Sequence, residues 1–101
     1  MQYFITQNIR IDAEGYPETI DDRELTLEEM QEAVGGYIEM VPLSTKLIAG
    51  GDHPSKDDGQ VYMIVNEEGL IMNLPYNKYA SQIAGQQVLG TALFIKAEYI
   101  K

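Results

Sequence analysis

Val34-Gly35-Gly36-Tyr37-Ile38-Glu39-Met40-Val41-Pro42-Leu43 is the stretch whose reading decides the fold. Upstream, Thr26 and Glu29 have the T-x-x-E spacing of a capping box, in which hydroxyl and carboxylate each accept one backbone N–H at a helix start. Leu25 and Met30 stand at the two positions of a hydrophobic staple. Leu27, Met30, Ala33 and Val34 recur at spacings of three and four, which predicts one packed face of a short helix. Gly35 suits the left-handed position that ends it. Beyond the glycines the period changes to two: Tyr37, Glu39 and Val41 share one face, Ile38, Met40 and Pro42 the other. Both faces are mainly apolar, so an inner strand over Tyr37–Leu43 is expected, with Pro42 closing it or marking an edge.

Working outward, Tyr3–Ile11 alternates as a first strand, with Ile9 and Ile11 on one face and Asn8 and Arg10 on the other. Asp12–Pro17 reads as a turn, and Glu18–Glu24 as an acidic stretch without period, anchored only by Ile20. Val61–Val65 reads as a strand, Asn66–Gly69 as a hairpin connection and Leu70–Met72 as the returning strand. Asn77 is placed to cap a helix over Lys78–Ala84, packed through Tyr79, Ala80, Ile83 and Ala84 and stopped at Gly85. The last strand lies within Gln87–Glu98, centred on Ala92–Ile95. The order β-α-β-β-β-α-β predicts an α+β fold with a mainly antiparallel sheet, one domain over residues 1–101.

Charge narrows the function classes. The chain carries a net −9, and the segment from Asp12 to Glu32 holds nine acids against Arg23 alone. Nucleic-acid binding needs clustered Lys and Arg, so a direct DNA or RNA role is not expected. Asp12, Glu14, Glu18, Asp21, Asp22, Glu24, Glu28 and Glu32 instead form a candidate surface for a basic protein partner. The competing reading is an acidic surface that serves solubility. No signal-type or membrane-spanning apolar run is present, which points to the cytoplasm.

Catalytic constellations find little support. The chain has no Cys and one His, and Ser44, Ser55 and Ser81 have no His beside them. His53 with Asp52, Asp57 and Asp58 lacks the ligand types and spacing of zinc or calcium sites. The loop Gly50–Gly59 that carries them is long for so small a domain. Gly35-Gly36 follows a helix, the wrong end for holding phosphate. No enzyme, cofactor or metal is therefore expected. A small ligand-binding site remains as an alternative: Tyr76, Asn77, Lys78 and Tyr79 gather an aromatic pair and a cation at a helix start, with Glu39 in a polar role. The structural alternative makes Asn77 a cap, the tyrosines packing residues and Glu39 a solvent-facing position.

Four blocks occur in order: Val34-Gly35-Gly36-Tyr37-Ile38-Glu39, then Ile64-Val65-Asn66-Glu67-Glu68-Gly69, then Leu74-Pro75-Tyr76-Asn77, then Leu89-Gly90-Thr91-Ala92-Leu93. Together they resemble a family of small proteins of unknown function found in bacteriophages, plasmids and bacterial genomes. The resemblance spans about residues 25–96, with V-G-G-Y-I-E its most specific part, and leaves the first 24 residues outside it. The loop Gly50–Gly59 departs from the shorter members. The resemblance implies no catalytic residue. It implies a mobile-element context, and with it interference with a host system, such as inhibition of a host defence in the host cytoplasm.

Overall fold

The computed structural model describes residues 8–21, 23–43 and 61–100. In chain order it contains β1 (Ile9–Ile11), β2 (Pro17–Thr19), α1 (Leu27–Val34), β3 (Ile38–Leu43), β4 (Val61–Asn66), α2 (Lys78–Ala84), β5 (Ala92–Lys96) and a 3-10 turn over Ala97–Tyr99. The five strands form one sheet in the order β2-β1-β5-β4-β3, and every pairing is antiparallel. This is the expected α+β class.

β4 and β5 lie inside the sheet, and their near-continuous apolar runs are buried on both faces. One face gathers Ile11, Val61, Met63, Val65, Ala92 and Phe94 under Ala80 of α2. The other gathers Ile64, Leu93 and Ile95 under Met30 and Val34 of α1. Each short helix thus covers one face, so its stability comes from docking; two turns of helix are marginal in water. Among the described residues no helix is long and apolar enough to cross a membrane.

The helix ends follow the local chemistry. The Thr26 hydroxyl accepts from Glu29 N–H at 3.0 Å, and the Glu29 carboxylate accepts from Thr26 N–H at 2.9 Å. Gly35 takes the left-handed conformation, φ 82°. Leu25 packs against the core cluster that contains Met30, as a staple position should. Leu27 does not join them and is 55% exposed, because the docked stripe runs through Met30, Ala33 and Val34.

Three other expectations are corrected. Pro17–Thr19, inside the segment read as turn and acidic coil, pairs with β1 as a strand. All three of its residues are exposed, so no alternation of apolar residues marks it, and Pro17 suits the end of a sheet, where a missing N–H costs no ladder bond. β3 is not an inner strand but the end of the described sheet, with Glu39, Met40 and Pro42 exposed. Leu70–Met72 is no returning strand. Both sides of β4 are taken by β3 and β5, and the chain coils instead through Met72 N–H to Glu68 C=O and Leu74 N–H to Gly69 C=O. Leu70 and Ile71 consequently stand 77% and 83% exposed. Tyr3–Gln7, Asp22 and the loop Gly50–Gly59 with His53 lie outside the described residues.

Candidate functional site

The acidic segment divides in space. Asp12 is absorbed by the β1–β2 turn, where its Oδ1 accepts from Glu14 and Tyr16 N–H, both at 3.0 Å. Glu14 lies on that turn, beside Gly15, whose left-handed backbone rests against the Tyr79 ring. The remaining acids run down β2 and along α1. α1 covers β4, β5 and β3, which leaves a groove between the helix and the β1–β2 hairpin. The groove encloses about 380 Å³ over Ile20, Leu25, Ala33 and Leu93. Glu18 and Asp21 stand on its hairpin side and Glu29 on its helix side. A shallower extension shares Arg10, Glu29 and Ala33 and reaches Glu32.

Two arginines interrupt the acidic surround. Arg10 lies opposite Glu18 in the strand register, with its guanidinium 3.8 Å away. Arg23 bonds both carboxylate oxygens of Glu29, at 2.5 and 3.1 Å, and approaches Asp21 at 4.0 Å. The Arg23 contact, followed by the Thr26 N–H, lowers the Glu29 pKa to about 2, and Glu29 in turn raises that of Arg23. Asp21, Glu24, Glu28 and Glu32 remain exposed, and Glu14, Glu28 and Glu32 have no ion pair among the described residues.

A pH dependence follows from Glu29. Its folded-state pKa lies below the ordinary carboxylate value, so its contribution is present above about pH 4.3 and is lost as pH falls toward 2. Thermal melts of Glu29→Gln should lie below the parent at pH 7 and converge with it near pH 2.

The second candidate set is spread over β3 and the start of α2. Glu39 is exposed on β3 and faces a depression beside Gln86 and Gln87. Tyr76, Lys78 and Tyr79 are exposed around the start of α2. Asn77 is fully buried, and its amide is engaged at both ends: Oδ1 accepts from Ala80 N–H at 3.0 Å, and Nδ2 donates to Ile11 C=O and Gly90 C=O at 3.0 and 2.9 Å. Its amide thus ties α2 to β1 and to the approach of β5.

Two further buried asparagines do similar work. Asn8 donates to Asp21 C=O and accepts from Lys96 N–H. It thereby fixes the chain at the hairpin side of the groove. Asn66 donates to Val34 C=O and accepts from Glu68 N–H. In the sequence Asn8 is only a polar position within the first strand and Asn66 only the start of a turn, and neither signal reveals a buried amide.

The chain matches the family described as Domain of unknown function (DUF3846) over residues 6–99. It belongs to that family. The match takes in the whole acidic segment, of which the part from Asp12 to Glu24 lay outside the 25–96 resemblance. No curated protein and no solved structure matches the chain. Family membership therefore brings a shared domain without an assigned chemistry, and the reading of this member rests on its own surfaces.

Proposed function

We propose that this member of the family is a non-enzymatic binding protein that presents an acidic surface to a basic protein partner. The observation that carries the reading is the exposure of Glu18, Asp21 and Glu32 around a groove with an apolar floor, with Glu24 and Glu28 exposed beside them in sequence. Exposed carboxylates steer a basic surface into contact. The floor of Ile20, Leu25, Ala33 and Leu93 supplies the desolvated area that charge alone does not provide. The four-block resemblance supports a phage or plasmid setting, in which the partner is a host protein in the host cytoplasm and the effect is inhibition of a host defence.

Affinity capture from host lysate at low and high salt tests this. Exposed charges are screened beyond about 8–10 Å at ordinary ionic strength, so capture should weaken steeply as salt rises. The triple substitution Asp21→Lys, Glu28→Lys, Glu32→Lys should abolish it while leaving the circular dichroism spectrum unchanged. Capture by the triple variant equal to that of the parent overturns the proposal.

A further inference from the structure

β3 ends the described sheet, and the register shows which of its backbone groups are left over. Glu39 lies opposite Val65 and Val41 opposite Met63, and the ladder continues through Glu67 N–H to Tyr37 C=O at 2.8 Å. In an antiparallel pair, every second residue exchanges hydrogen bonds with the neighbouring strand. Tyr37, Glu39 and Val41 therefore turn their N–H and C=O groups toward β4, and Ile38, Met40 and Pro42 turn theirs away from the sheet. Pro42 has no N–H to lose there. Among the described residues nothing pairs with the N–H groups of Ile38 and Met40 or with the three outward carbonyls.

Large apolar side chains flank this edge. Tyr37 and Met40 on β3, and Leu70, Ile71 and Met72 on the coil after β4, are all exposed. Leu70 shares a depression with Glu39, Val41 and Glu67, and Met72 shares another with Tyr37 and Glu68. No Lys or Arg lines either depression. The two faces of the edge differ. Glu39 and Glu67 share one face with Tyr37 and Val41, whereas Ile38, Met40 and Pro42 occupy the other. Open backbone donors beside exposed apolar side chains make a surface to which an extended segment adds as a strand.

We infer that the outer edge of β3 takes up an extended basic segment of another protein as an added strand. The backbone of that segment accepts from Ile38 and Met40 N–H and donates to the outward carbonyls. Its side chains alternate between the two faces: Lys or Arg on the side of Glu39 and Glu67, and apolar residues over Met40 and Pro42. A second copy of this chain fits the same edge poorly. Within Ile38–Leu43, the antiparallel self-pairings that engage both donors set Glu39 directly opposite or diagonal to its counterpart, and like charges so placed repel. Each copy also carries a net −9. The edge lies across the sheet from the β1–β2 hairpin and its groove, so the inference does not rest on the function proposed there.

Amide hydrogen exchange of the intact, isotopically labelled chain, read by NMR, tests the inference. The probe is the peptide Lys-Val-Lys-Val-Lys-Val-Lys, acetylated and amidated at its ends. In the free chain the Ile38 and Met40 amides should exchange faster than those of Glu39 and Val41 at every protein concentration. Saturating peptide should slow Ile38 and Met40 by about tenfold or more. The same peptide N-methylated along its backbone should give no protection, and neither should its Glu-Val counterpart. Glu39→Lys should weaken binding about tenfold; the position is exposed, so the variant keeps the fold. The triple reversal on the α1 side should leave the affinity within about threefold at ordinary ionic strength, where distant charges are screened. Protection of Ile38 and Met40 in the free chain overturns the inference: if it grows with protein concentration a second copy holds the edge, and if it does not the chain itself does. No added protection by the peptide, or equal protection by the N-methylated or acidic one, overturns it as well. Binding lost in the α1 triple variant but kept by Glu39→Lys would place the peptide at the groove and overturn it too.

Discussion

Replacing Asn77 by alanine is expected to destabilise the protein by about 3–4 kcal/mol, the largest effect foreseen for any polar side chain here. The change removes the acceptor for Ala80 N–H, a capping loss of about 1 kcal/mol. It also strands the carbonyls of Ile11 and Gly90, to which Nδ2 now donates in a fully buried setting. Each buried group left unpaired costs about 1–3 kcal/mol. A domain of this size has about 5–15 kcal/mol in total, so the melting temperature should fall by about 15 °C. Asn77→Asp separates the two roles. It keeps the cap acceptor but turns a carboxylate toward two carbonyls, so it should be no more stable than Asn77→Ala. An aspartate variant that melts with the parent would show that capping alone accounts for the residue. The same geometry bears on the ligand site weighed from the sequence, since a substitution at Asn77 acts on the fold before any ligand is added.

The second large effect is expected at Asn66. Asn66→Ala should cost about 2–3 kcal/mol in urea or thermal unfolding, because Val34 C=O at the end of α1 and Glu68 N–H both lose their partner. This residue also explains the second glycine of Gly35-Gly36. A methyl group on Gly36 would sit 3.0 Å from Asn66 Nδ2, whereas one on Gly35 would meet nothing within 4 Å. Gly35 is needed for its left-handed backbone, at φ 82°, and Gly36 for room. The two sites are therefore coupled. Gly36→Ala should be clearly destabilising in the parent and nearly neutral once Asn66 is alanine. Equal costs in both backgrounds would show that the asparagine does not set the requirement.

Local chemistry made part of the fold legible. The Thr26–Glu29 box, the stop at Gly35 and the Asn77 cap are signals whose partners lie within a few residues, and α1 and α2 sit where those signals put them. Where the partner is remote, the pattern misleads. β3 looks like an inner strand because both its faces carry apolar residues, yet it ends the described sheet: Val41 and Leu43 reach one core and Ile38 the other, while its outward positions hold Glu39 and Met40. β2 was missed because an exposed strand at the end of a sheet has no reason to alternate. The acidic segment could be counted but not arranged, and the groove exists only because α1 leaves the hairpin side of its face uncovered.

The opening stretch, Val34–Leu43, shows where the division falls. The sequence alone determined that a helix ends at Gly35 and a strand follows, because those events depend on backbone conformation and period within a few residues. It also determined the charge, and hence the kind of partner to test. The tertiary structure alone decided that Asn66 occupies the space beside Gly36, that Glu39 and Glu67 fall on one face of the β3–β4 pair, and that acids beyond the hairpin turn frame a groove. Those relations join residues about 30 apart in the chain or sitting on different elements, and they arise only when antiparallel pairing sets which side chains face one another.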